Sequence, residues 1–147
     1  MAWHASSTMQ LLKDTTAEQA QKHPIKGIHT IWELVDHLTF YEKKVIKTLE
    51  GATFPIFMNG EEWPPRDDYC EEAWNESLHQ LEVVHDKLVD AIKGLHQKTL
   101  GESVKMDSMW PEPWLSTTYY ELLHGMLHHK IYHTAQIAVL QKQQPKR

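Results

Sequence analysis

Between Tyr69 and Lys98 the chain carries Trp74, Leu78, Leu81, His85, Leu88, Ile92 and Leu95, each three or four residues after the last. That recurrence puts them on one face of an α-helix and runs too long for a strand. A helix with one apolar face must bury it against other helices, and the remaining chain supplies them. Thr30, with Glu33 three residues on, forms a capping-box pattern that opens a second helix running to about Glu50, before Gly51. Its core stripe reads Ile31, Leu34, Leu38, Tyr41, Val45, Leu49. A last helix spans about Ser116 to Gln143, and a weaker N-terminal one spans about Ser6 to Lys13, resuming from Thr16 to Gln21 before His23-Pro24.

Two connections separate these segments. Residues 51–68 hold Gly51, Pro55, Gly60, Pro64 and Pro65 with Phe54, Phe57, Met58 and Trp63 among them, a loop that packs its own apolar side chains and is placed to roof a pocket. Residues 99–114 hold Gly101, Pro111 and Pro113. The β-branched piece Thr117-Thr118-Tyr119-Tyr120 abuts helical periodicity and has no hairpin partner. The expected fold is therefore all-α, a four-helix bundle with long aromatic-containing connections, in a single domain over residues 1–147.

Charge and composition narrow the function. With a net charge of -5 the chain has no electrostatic reason to bind nucleic acid. No run of about 18 apolar residues suggests a membrane span, and the start Met1-Ala-Trp-His lacks the basic and apolar parts of a signal peptide, so a cytoplasmic location is expected. Cys70, the single cysteine, sits among Asp67, Asp68, Glu71 and Glu72, which disfavour a thiolate, and is read as a bystander.

The eleven histidines matter through their placement. The last helix has the inward stripe Tyr119, Leu122, Met126, His129, His133, Gln136, Leu140. His129 and His133, at i and i+4, stand one above the other about 6 Å apart along the axis, a spacing at which two imidazoles can share an ion. Gly125, one turn earlier, leaves room for a neighbouring helix or a bound molecule. The bland reading is a pair of buried, hydrogen-bonded histidines. His37, on the core edge of the second helix, adds a third imidazole from another inward face, and one cation would satisfy rings that are each costly to bury alone. Three histidines would leave an open coordination position.

His85, in the third-helix seam, reads as a satisfied core histidine, a pocket wall or an extra ligand, and Tyr132 or His85 is a candidate for proton transfer. His124 and His128 point to the surface, while His29 lies where it could reach the mouth of a site; His4, His23, His79 and His96 carry no spacing signal. The segment His129-Lys130-Ile131-Tyr132-His133 has lysine where a zinc peptidase HExxH has its glutamate base, so that reading fails.

The stretches His29-Thr30-Ile31-Trp32-Glu33-Leu34-Val35-Asp36-His37-Leu38 and Gly125-Met126-Leu127-His128-His129-Lys130-Ile131-Tyr132-His133-Thr134-Ala135-Gln136-Ile137-Ala138, in that order, resemble the DinB/YfiT-like superfamily of small metal-binding bundles. Trp3-His4 and Trp74 add to the likeness, so it spans nearly the whole chain; Lys130 and Thr134-Ala135 depart from the usual pattern without removing a ligand. The resemblance implies a divalent metal, zinc, nickel or iron, held by His37, His129 and His133 with water in the remaining position. It also implies chemistry of the thiol S-transferase or hydrolase type on a small-molecule thiol or electrophilic substrate, and a homodimer. The competing expectation is a non-catalytic metal-stabilised bundle serving as a stress-response or interaction module.

Overall fold

The computed structural model describes residues 7–58 and 60–144. Trp3, His4 and Ser6 lie outside them. The described chain is mostly helical, with five α-helices: α1 (Thr8–Leu12), α2 (Ala17–Ala20), α3 (Ile31–Leu49), α4 (Glu71–Lys93) and α5 (Tyr119–Lys142). The last three are long. No strand occurs among the described residues; the connections meet only through isolated bridges, Phe54 with Met106 and Ser103 with Thr118.

Capping chemistry sets where helices begin. Ser7, Thr16, Thr30 and Thr118 each accept from the backbone N–H three residues on, where a Gln or Glu side chain returns the bond. α4 begins at Glu71 rather than Tyr69 because the Cys70 thiol takes the cap, accepting from the Ala73 N–H at 3.5 Å. Cys70 thus has a structural role beyond that of a bystander. α4 also ends at Lys93, short of the expected Lys98, because Gly94 closes it and glycine carries a high backbone-entropy cost in a helix.

α3 is the central element, packing against both α4 and α5. It therefore buries more than one stripe: Trp32, Val35, His37, Thr39, Glu42 and Thr48 join Ile31, Leu34, Leu38 and Val45. On α4 the buried face is Trp74, Ser77, Leu81, Val84 and Leu88. His85 is consequently not a core-seam residue; it stands beside that seam, half-exposed, and Ile92 is exposed.

Two apolar clusters fill the interior. One joins Leu12, Trp32, Trp74, Leu81, Ile137 and Leu140, and the other Val45, Phe54, Leu88, Val104 and Met126. Along α5, His129 and His133 fall between Met126 of one and Ile137 of the other. No helix among the described residues is long and apolar enough to cross a membrane.

Candidate metal centre

α3 and α5 bring His37, His129 and His133 together, with one donor atom from each ring lying within 4.8 Å of the others. The contacts are between Nε2 atoms: His129 Nε2 is 3.0 Å from His37 Nε2 and 3.0 Å from His133 Nε2. The opposite nitrogens of His37 and His133 are anchored, while His129 Nδ1 is buried without a partner among the described residues. His37 Nδ1–H donates to the Glu62 carbonyl at 2.8 Å, and His133 Nδ1–H donates to the Gln136 amide oxygen at 2.7 Å. These bonds fix the tautomer, so neutral His37 and His133 each direct an Nε2 lone pair at His129. A single proton on His129 Nε2 can satisfy one of them at a time, whereas a divalent cation satisfies all three. An outward nitrogen held by a carbonyl or amide is the usual support of a metal-binding imidazole. The residues present fit a metal ion.

The surroundings keep the rings neutral and ready to ligate. Burial pushes His37 and His129 down to about 4; the nearby imidazoles add to the effect, while the Glu62 carbonyl opposes it at His37. Burial also lowers His133, against a raising contribution from Gln136. The Trp63 indole lies flat on His37, with centroids 3.8 Å apart, and its other side stacks on His29 at 3.5 Å. The connection after α3 therefore roofs the cluster, with His29 outside that roof. Tyr41 packs against His37 and His129 from within α3.

The other sequence candidates fall elsewhere. Tyr132 touches the edge of His133, at 5.0 Å between centroids, and is 61% exposed. His85 meets Lys130 and Glu42 instead of the imidazole cluster: its Nδ1 is 2.9 Å from Lys130 Nζ, which also reaches Glu42 Oε1 at 2.5 Å. His124 and His128 are exposed. Sequence reasoning overlooked the Glu62 carbonyl and the Glu42–Lys130 pair, and no spacing signal links those residues. Gln136, by contrast, was visible as a polar residue on the α5 stripe.

A cavity of about 330 Å³ opens beside the cluster, with His129 in its wall. Both connections contribute to it, through Phe54, Met106, Trp110 and Trp114, and Gly125 faces it. A Cβ built on Gly125 would meet nothing within 4 Å, so of its two expected uses the structure supports room for a molecule.

Fold and cluster together define a class: a helical protein with a buried three-imidazole site between two long helices and an apolar cavity at its side. A profile of the DinB superfamily matches residues 1–137, and the chain belongs to that superfamily. No curated protein and no solved structure matches it.

Proposed function

We propose that His37, His129 and His133 hold a divalent ion, zinc, nickel or iron, and that the protein is a metal-dependent enzyme of the thiol S-transferase or hydrolase type. The observation that supports this most is the convergence of three Nε2 atoms, with the Nδ1 partners of His37 and His133 already fixed. A divalent ion bound there supplies Lewis acidity, which acidifies water or a thiol and polarises an electrophile. Imidazole donors suit all three metals, so the ligand set favours none of them.

The chain's own residues have separable tasks. Glu62 and Gln136 orient the imidazoles, and Trp63 shields His37 from water. Burial holds the Tyr41 phenol above its usual range, and the nearby Glu62 carboxylate raises it further. One Glu62 oxygen is buried without a partner among the described residues. Glu62 is thus better placed than His85 to exchange a proton with a substrate at the cluster, and Tyr132 is the surface-side candidate.

Elemental analysis of the purified protein beside His133→Ala tests the site. We expect a divalent metal stoichiometric with the chain in the wild type and at least about tenfold less in the variant, since losing even a ligand's hydrogen-bond partner typically costs about 10–100-fold in metal affinity. Equal content in both would overturn the assignment. A screen of thiol and electrophile pairs on the metal-containing protein then tests catalysis. The burial of the cluster between two apolar clusters supports a second reading, an ion that serves folding alone. It predicts a large loss of thermal stability on chelation and no turnover.

A further inference from the structure

We propose that His124 and His128 form a second site for a divalent transition metal, on the outer face of α5 and separate from the buried cluster. The site is open to solvent, holds its ion through two imidazoles and water, and exchanges it readily. Nothing in it depends on the buried ion. The two residues stand at i and i+4 of α5, the spacing at which His129 and His133 converge on the inner face, with ring centroids 4.4 Å and Nε2 atoms 3.0 Å apart. The backbone of this helix therefore permits the same approach outside. The centroids of His124 and His128 are 6.3 Å apart, and both side chains are exposed, so rotation about their χ angles can bring one nitrogen of each to about 2.1 Å from a shared ion.

Their nitrogens are also uncommitted. His23 and His29, exposed as well, each spend Nδ1 on a neighbour, the Ile28 carbonyl and the Glu33 carboxylate. Among the described residues His124 and His128 meet only rings: Tyr120 packs on His124 with centroids 4.2 Å apart, and the two imidazoles stand edge to face. The Tyr120 ring steadies His124, which leaves less side-chain freedom for a bound ion to remove. Charge favours a cation here, since no lysine or arginine occurs from Pro113 to His129 and Glu121 is exposed on the same side of the helix, three residues before His124. Imidazole donors select the metal by class: nickel, copper and zinc suit them, whereas magnesium and calcium demand oxygens. With two protein ligands the ion is held more weakly than one bound by three. Chelator dialysis therefore removes it first, and the metal that survives dialysis reports on the buried cluster.

Nickel titration followed by the histidine ring-proton resonances tests this, because a paramagnetic ion broadens the rings nearest to it. In chelator-dialysed His133→Ala, where the buried set is broken, nickel should broaden His124 and His128 ahead of every other histidine. His124→Ala and His128→Ala, each made in that background, assign the two signals. Each should weaken nickel binding by about tenfold or more, since the lost imidazole was tethered to its partner on one helix. Copper should bind more tightly than nickel, and magnesium at the same concentration should neither bind nor compete. Nickel affinity unchanged in either variant, or broadening that begins at other histidines, would overturn the site. Should His133→Ala fail to fold, wild-type protein and His124→Ala answer the same question through a weak nickel-binding event that only the wild type should show. The two metal assignments fail separately. One weak site lost in His124→Ala sustains the outer pair and sinks the buried cluster, whereas one tight site untouched by His124→Ala does the reverse.

Discussion

Glu42 shows how much one buried residue can demand of its neighbours. Its carboxylate is fully buried in the middle of α3, and one oxygen reaches the Lys130 ammonium at 2.5 Å. Burial pushes this carboxyl up, but His85 and Lys130 outweigh it and hold the group below its ordinary range. Because the folded value is depressed, the pair's stabilisation is present above about pH 4.5, the ordinary Glu value, and is lost as pH falls through the folded value. Lys130 occupies the position at which a zinc peptidase keeps its base, and here it neutralises a buried acid instead. Removing one member of a buried pair strands the other at a cost of about 3–5 kcal/mol, whereas replacing both with apolar groups is often neutral. Lys130→Met should therefore lower the urea midpoint sharply, and the double variant Lys130→Met with Glu42→Met should recover most of the loss. A single variant as stable as the wild type would show that the pair contributes nothing.

Among the elements, α4 separates what periodicity can convey from what it cannot. A repeat of three and four locates a helix, yet it does not choose between adjacent faces: Leu78 and His85 look like seam residues, but Ser77 and Val84 are the buried ones. Ser77 is tolerated inside because the Trp32 indole N–H donates to its hydroxyl at 2.9 Å and Arg66 donates at 3.1 Å. Those partners are remote in sequence, so the register was not readable. The ends of α4 depend on local chemistry in the same way. Sulfur is a poor acceptor, and the 3.5 Å bond from Ala73 N–H to Cys70 is a weak cap compared with a serine hydroxyl. Cys70→Ser should stabilise α4 by up to about 1 kcal/mol, seen as a rise in melting temperature of a few degrees. A fall would show that the thiol is held by something other than the cap. The helices carrying the histidines were more legible, since an i, i+4 pair and an inward His37 each sit on a stripe that the fold buries. The roof and part of the cavity wall come from irregular connections, where no period reveals that Trp63 covers His37 or that Trp110 and Gly125 line one cavity.

For the molecule as a whole, the neutral imidazole cluster should make stability respond to acid and, with the proposed ion, to metal as well. In the unfolded chain each histidine titrates near 6.5, whereas folded His37 and His129 sit at about 4. Between those values the unfolded state binds more protons, so stability falls as pH drops from 6.5 toward 4, a higher range than that in which Glu42 acts. Metal-free protein should accordingly show a lower urea midpoint at pH 5 than at pH 7.5, with unchanged slope. Replacing His37 and His129 with non-titrating glutamine should flatten the difference. Added divalent metal binds only the neutral rings of the folded cluster, of which His37 and His129, with folded values of about 4, are still mostly neutral at pH 5, so it should raise the midpoint at both pH 7.5 and pH 5 and lose its effect only as pH approaches 4. The two slopes together discriminate between interiors: imidazoles hydrogen-bonded without a metal would show the acid sensitivity but no separation between metal-free and metal-supplemented protein at either pH.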